Sequence, residues 1–466
     1  MKIIRVLRMA FLLSAAPLVL TAQVRDPRAL EREILNELVE INTSDSAGRS
    51  GEAAEAMARR LVAAGLPAQD VQVVGFSPRY QNLVARYRGS GGSAKPILLM
   101  AHLDVVDARK EDWSFDPYQF REEEGYYYGR GTMDDKSGVA MLVASFIRYK
   151  QEGFVPDRDL IIVATGDEET TGASIQWLVE KRRDLIDADF ALNADAGGGE
   201  LRDRKAIAFS VQTAEKVYLS FQLEVRNRGG HSSVPEPDNA IYRLSEGLAR
   251  LRRHTFPVRL NETTRAFFEG AARSQPRAVA ADMRAVVRSR NAIAVRRLST
   301  VPYYNSVMRT TCVATRLFAG HADNALPQIA RATVNCRMLP DDPPDSVEAV
   351  LRRVLADTAI HITRIRPPVP SPPSPLRPDV MRPVERLVAK MWPDAAIVPE
   401  MSTGATDGLY TRNGGIPTYG VMAVFERVDD VRAHGRDERI GVKAYHEAAE
   451  FWYQLVKTLA SPKTGA

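Results

Sequence analysis

Three apolar runs in the sequence end in side chains that bind metals or move protons. Residues 96–101 lead directly into His102-Leu103-Asp104, residues 160–164 into Gly166-Asp167-Glu168-Glu169, and residues 190–194 into Asp195. A fourth acidic pair, Asp134-Asp135, sits in Gly129-Arg130-Gly131-Thr132-Met133-Asp134-Asp135-Lys136, where a glycine-rich loop enters a helix. A single Asp after a strand is most simply a cap or a solvated turn. Three strands ending this way within about a hundred residues read as one site. Carboxylates brought together without matching cations raise one another's pKa, and a divalent ion neutralises them. Imidazole plus carboxylate with no thiolate suits zinc, and cobalt or manganese less strongly. Within His102-Leu103-Asp104 the histidine is the natural ligand. Asp104 can hydrogen-bond the other ring nitrogen or otherwise orient the site. Glu168 and Glu169 are adjacent on one loop and cannot easily do the same job. One can bind metal while its neighbour acts as general base on a metal-activated water.

The elements that position these groups follow from periodicity. Apolar residues recur every three to four positions from Leu30 to Ile41, and helix formers run from 52 to 64. Strand-like runs occupy 71–74, 82–87 and 96–101; the loop 89–93 between the last two lacks the Gly-Lys-Ser/Thr ending of a phosphate loop and reads as a turn. A helix over 137–149, a strand at 160–164, a helix over 173–181 and a strand at 190–193 follow. That alternation predicts an α/β domain with a mostly parallel sheet, whose strand carboxyl ends line the ligand crevice. From about 206 the texture changes: 217–225 alternates as a half-exposed antiparallel strand does, with a helix over 240–251, strands near 307–317 and 330–338, and a helix over 346–356. This predicts a smaller inserted α+β domain. The Pro-rich stretch 366–378 reads as a connector, after which helices over 380–391 and 444–459 and a strand at 418–424 resume the α/β pattern. The expected organisation is a signal peptide at 1–22, a catalytic domain in two parts, 23–210 and 343–466, and the inserted domain at 211–342.

These segments resemble the M20 family of di-zinc metallopeptidases and amidohydrolases, which includes glutamate carboxypeptidases, carnosine dipeptidases, aminoacylases and succinyl-diaminopimelate desuccinylase. The likeness runs over nearly the whole mature chain, with five motifs in family order. It implies two divalent metal ions, with His102 on one and Asp134 bridging both; the choice of Asp134 over Asp135 rests on the family pattern alone. It further implies Glu168 as general base, Glu169 as a ligand of the second metal, Asp195 completing the first site, and His434 in Ala433-His434-Gly435-Arg436-Asp437-Glu438 as the remaining ligand. The inserted domain resembles the family's lid and dimerisation domain, and Gly229-Gly230-His231-Ser232-Ser233 is similar to the family segment whose histidine polarises the scissile carbonyl, often across a dimer interface. Asn324 and Arg337 fall where the family holds the substrate's carbonyl and carboxylate, and an Arg fork suits a carboxylate. Gly404, Ala405 and Thr406 fall where it places backbone donors. The stretch between about 254 and 305 carries no family motif, so specificity is expected to lie there.

The resemblance implies a homodimeric hydrolase of small peptides with a free C-terminal carboxylate, of carboxypeptidase or dipeptidase type. Deacylation of N-acyl amino acids is one alternative; a binding protein that has lost its chemistry is another, against which the intact Glu168-Glu169 pair argues. Other classes are excluded by composition. With 45% hydrophobic and 26% charged residues among 466, the chain has ordinary globular proportions. A net charge of +5 with no block of like charge gives no case for nucleic acid. Lys2, Arg5 and Arg8 precede an apolar run over 9–20 that is about half the ~20 residues a membrane span needs, so it reads as a secretory signal into a periplasm, not an anchor. Cys312 and Cys336 flank a predicted turn; a bridge and two buried thiols fit equally. Gly-x-Ser-x-Gly is absent, which leaves out a serine hydrolase. His254, His321 and His361 lack motif context and read as surface or turn residues. His446 sits in a near-miss of the zincin helix signature and reads as the exposed face of the last helix.

Overall fold

A computed structural model describes residues 26–427 and 429–461; the expected signal peptide lies outside them. Among the described residues the main sheet has ten strands. In spatial order they are Val71–Val74, Asn82–Tyr87, Leu160–Thr165, Ile97–His102, Phe190–Asn193, Thr418–Gly420, Lys205–Glu215, Gly198–Arg202 and Phe425–Arg427, with Ala396–Ser402 paired alongside Lys205–Glu215. Its centre is parallel: Ile97–His102 runs parallel to both Leu160–Thr165 and Phe190–Asn193. The three strands therefore end at one edge.

Both faces of this centre are covered, which is why its strands read as unbroken apolar runs. Leu99, Ala101, Ile162 and Ala164 pack under the helices Pro27–Glu40, Lys136–Glu152 and Val442–Leu459. The alternate residues Leu98, Met100, Ile161 and Val163 pack against Ile175 and Leu178 of Ala173–Lys181. Burying each such Leu or Ile is worth ~1.5–3 kcal/mol, so a register slip of one residue would exchange the two layers wholesale.

The smaller sheet is antiparallel, in the order Thr311–Ala319, Ile329–Met338, Val217–Arg226 and His361–Arg364. Leu244 and Leu251 of Ala240–Arg253 and Val347 and Leu351 of Pro344–Leu355 cover one face of it. The expected break at 210/211 falls inside the Lys205–Glu215 strand. The expected break at 342/343 precedes the helix and edge strand that complete the smaller unit, so that unit extends to Arg364. Cys312 and Cys336 face each other across the ladder with Cα atoms 4.1 Å apart and form a disulfide.

Two further readings change. The stretch without a motif is a bundle of four short helices, Glu262–Ala271, Arg277–Ser289, Ala292–Leu298 and Pro302–Met308. They share a core of Phe268, Met283, Val286 and Leu298, to which the main sheet contributes Val398. Asn261 and Asn291 cap two of them with side-chain oxygens. The strand expected over 307–317 consequently starts only at Thr311. His446 is not on an exposed face: its ring is 8% accessible, with Nδ1 2.5 Å from Glu31 and Nε2 3.1 Å from the Tyr127 hydroxyl. It ties the last helix to the first described one.

Candidate active site

The parallel strand ends and two loops bring five of the expected ligands into two groups that share one residue. His102, Asp134 and Asp195 offer donor atoms within 4.8 Å of one another, and so do Asp134, Glu169 and His434. Asp134 divides its oxygens between them: Oδ1 lies 2.9 Å from His102 Nε2, and Oδ2 lies 3.0 Å from His434 Nε2. Asp195 Oδ1 is 3.6 Å from His102 Nε2, and Glu169 Oε1 is 2.9 Å from His434 Nε2. Asp135 is fully buried and belongs to neither group; its Oδ2 receives the His102 amide at 3.4 Å.

The donor set fits divalent metal. His102 Nδ1 lies 2.9 Å from the Asp104 carbonyl oxygen, which can only accept. Neutral His102 therefore carries its proton on Nδ1 and turns a free Nε2 lone pair toward the carboxylates, the tautomer a metal requires. Electrostatics agree. Burial alone would lower the pKa of His102, but its contacts with Asp134 and Asp195 outweigh burial and hold it well above the ordinary value. His434 is lifted to about 10 by Asp134 and Glu169. Burial pushes Asp195 up to about 6. The pocket thus favours positive charge at this point, which is what a divalent ion would supply.

Asp104 does not bond the imidazole through its carboxylate as expected; Oδ1 stands 3.8 Å from Nδ1. Its carboxylate instead accepts the backbone amides of Glu168 and Glu169, each at 3.0 Å. It orients the site by holding that turn. Glu168 is driven well above the usual carboxylate range, by burial first and by Asp195 next.

Sequence reasoning missed the residue that holds the two loops together. Glu438 is 0% accessible and accepts from the amides of Gly131 (3.1 Å), Met133 (2.8 Å) and Asp134 (3.2 Å) through Oε1. Its Oε2 pairs with Arg130 at 2.5 Å, and Arg130 also donates to the carbonyls of His434 and Gly435. The loop carrying Asp134 is thus fastened to the loop carrying His434. Gly131 has φ +86°, and a Cβ there would meet Val105 and Lys136 at 2.8 Å, so glycine is required. Asp407 was missed too: it is buried, takes a hydrogen bond from Thr165, and is held well above the carboxylate range by burial.

A cavity of about 280 Å³ opens over the two groups, lined by Asp134, Glu168, Glu169, Asp195 and His434, with Glu400, Ser402, Ala405 and Thr406 on its far wall. Two of the three expected backbone donors are already engaged: Gly404 N–H with Ser402 Oγ, and Thr406 N–H with Glu215. Behind them Glu215 forms a buried ion pair with Arg412 at 2.6 Å. His231, Asn324 and Arg337 do not line this cavity. His231 lies exposed on a two-residue ladder, paired with Ala325. The Ser233 amide donates to its Nδ1 at 3.2 Å, so neutral His231 carries its proton on Nε2. Asn324 accepts the Ser232 amide through its backbone carbonyl, next to His231. Arg337 stacks 4.6 Å over the Tyr218 ring.

A mostly parallel α/β sheet whose strand ends gather two carboxylate–imidazole groups around a shared aspartate defines a metal-dependent hydrolase. The chain belongs to peptidase family M20/M25/M40, whose sequence profile matches residues 98–458. It is 31% identical over 391 residues to the probable carboxypeptidase S-like 2 of Dictyostelium discoideum, covering 81% of this chain and 74% of that one. It is 29% identical over 387 residues to the human N-fatty-acyl-amino acid synthase/hydrolase PM20D1, covering 79% and 75%. Its fold matches the M20 metallo-carboxypeptidase Sso-CP2 of Sulfolobus solfataricus with a TM-score of 0.70 at 18% identity, over 92% and 99% of the two chains. It matches human carnosine dipeptidase 1 with 0.65 at 15% identity, over 93% and 96%.

Proposed function

We propose that the protein is an exported two-metal hydrolase that cleaves small peptides with a free C-terminal carboxylate, as a carboxypeptidase or dipeptidase. The observation that carries this reading is Asp134, whose two oxygens face one histidine each, with Glu168 lining the cavity over both groups. His102, Asp134 and Asp195 would hold one ion and Asp134, Glu169 and His434 the other, with Zn²⁺ favoured over Co²⁺ or Mn²⁺ by this donor set. Bound there, the ions supply Lewis acidity, polarising a carbonyl and easing ionisation of water.

The remaining steps belong to the chain. Glu168, kept basic-poised by burial and by Asp195, takes the proton of the attacking water and returns it to the departing amine. Asp104 fixes the backbone from which Glu168 and Glu169 project. His231 donates from Nε2 to the oxyanion, reaching the site by lid movement or from a second copy; loss of one such donor costs ~3–4 kcal/mol in the barrier. Arg337 pairs with the substrate carboxylate and Asn324 with its carbonyl. Ala405 N–H has no hydrogen-bond partner among the described residues and serves as the backbone donor.

A homodimer is supported by the Thr311–Ala319 edge strand, which leaves Val313, Leu317 and Phe318 more than half exposed. Export is supported by the basic-then-apolar residues 2–20 and by the Cys312–Cys336 disulfide. Among the described residues no helix is long and apolar enough to cross a membrane. The similarity to PM20D1 favours a second reading, hydrolysis of N-acyl amino acids. A panel of dipeptides and N-acyl amino acids, assayed with and without chelator, tests both. Chelator-sensitive release of the C-terminal amino acid supports the hydrolase, and the preferred half of the panel chooses between readings. Release unaffected by chelator, or by Glu168→Ala in metal-loaded protein, contradicts it.

A further inference from the structure

The helical bundle at 262–308 does more than cover the sheet. Its docking on the Ala396–Ser402 strand creates a second cavity of about 210 Å³. Phe267, Tyr303 and Tyr304 from the bundle form one wall, and Glu200 and Glu400 from the main sheet stand on the other. Glu400 lines both this cavity and the one over the metal-binding groups. The two spaces are therefore neighbours across a single side chain. Neither reaches the ~300–1,000 Å³ usual for a ligand pocket, but together they do.

The chemistry of this second space is specific. The three rings cluster at centroid distances of 5.8 to 6.4 Å, with Phe267 against both tyrosines. The Tyr303 hydroxyl donates to Glu400 Oε1 at 3.1 Å. Burial first and then the Glu400 charge push Glu200 up, Arg202 pulls it down, and neither carboxylate forms an ion pair among the described residues. Arg202 also lines the cavity without pairing to either. Two carboxylates against one guanidinium leave an excess of negative charge beside electron-rich ring faces. Ring faces and carboxylates both attract a cation, and partial desolvation strengthens both effects. A neutral acyl chain would have to pass the Glu400 carboxylate to reach the rings.

We propose that this second cavity is the subsite for a primary ammonium group of the substrate, held by Glu400 and Glu200 against Tyr303 and Phe267. The inference rests on the hydrolase reading above and sharpens its substrate class. The ammonium can be the α-amine of the residue on the amino side of the scissile bond or a side-chain amine on that residue.

Four substrates with glycine as the leaving residue separate these sources: Lys-Gly, norleucyl-Gly and the Nα-acetyl form of each. Wild-type protein is expected to favour the ammonium-bearing member of at least one pairing about tenfold or more in kcat/KM. A preference between Lys and norleucine marks a side-chain subsite, and one between free and acetylated forms marks an α-amine subsite. Glu400→Gln should collapse that ratio to within about twofold, and Tyr303→Phe should lower it severalfold. Calorimetric titration of n-pentylamine against 1-pentanol gives a reading free of turnover: the amine should bind and the alcohol should not, with binding lost in Glu400→Gln. Hydrolysis of all four substrates at equal rates, or a ratio unchanged in Glu400→Gln, overturns the subsite and leaves the hydrolase standing. Amine binding that depends on Glu400 with no hydrolysis of any substrate does the reverse.

Discussion

Changing Glu438 to Gln separates the two jobs of this buried carboxylate. The amide oxygen can still receive the amides of Gly131, Met133 and Asp134, which all use Oε1. The amide nitrogen replaces Oε2 and faces Arg130, whose side chain is 3% accessible, and a donor then meets a donor. Breaking a buried pair by removing one charge costs ~3–5 kcal/mol, since the remaining charge is left uncompensated. At a urea slope of ~3 kcal/mol per molar, the unfolding midpoint should fall by about 1 M or more. Because Arg130 also holds the carbonyls of His434 and Gly435, the loop bearing His434 loosens with it. Metal affinity should fall ~10–100-fold, the usual effect of losing a partner that orients ligands. Replacing both members, as Arg130→Met with Glu438→Gln, removes the stranded charge and should recover about 2 kcal/mol relative to the sum of the single changes. Urea unfolding of the four proteins and competitive metal titration read both effects. Additive single changes, or a Glu438→Gln protein with wild-type midpoint and metal affinity, would refute the reasoning.

Two further predictions concern the smaller unit. Burial pulls Lys216 down to about 7 from its ordinary value of 10.5, although its amine donates to the Arg309 carbonyl at 2.8 Å. Between those two values the unfolded chain holds a proton that the folded protein lacks, so stability rises with pH across that window. Lys216→Met should therefore stabilise the protein by about 4 kcal/mol near pH 7, with the gain fading toward pH 10.5; a loss of stability near pH 7 would count against this. The Cys312–Cys336 bridge closes a loop with a sequence separation of 24, for which chain entropy gives about 3.5 kcal/mol. Replacing both cysteines with serine should lower unfolding stability by that order and leave metal affinity unchanged.

The parts of the fold that were legible in the sequence share one property: their signal is local. The 82–87 and 190–193 strands and the 173–181 helix appear at their predicted bounds, because two-sided burial or helical periodicity marks them residue by residue. The His102, Asp134, Glu169, Asp195 and His434 cluster was legible because each residue ends a strand or sits in a motif. The Ala396–Ser402 strand was not, because Pro399 argues against a strand; it is tolerated where the strand pairs on one side only, with Lys205–Glu215. The 262–308 bundle was hidden by short helices rich in Arg, which carry no family motif. Glu438 and His446 act on partners about 300 and 415 positions away in the chain. No local pattern reports such a contact. The Asp104 carboxylate likewise bonds a loop 64 residues on, and not the imidazole two residues back.

Asp134 is proposed to hold two metal ions at once. Anomalous diffraction from crystals of zinc-loaded protein, collected on either side of the zinc edge, tests it without reference to turnover. Two peaks are expected, one against His102, Asp134 and Asp195 and one against Asp134, Glu169 and His434. A single peak, or peaks that do not share Asp134, would contradict it.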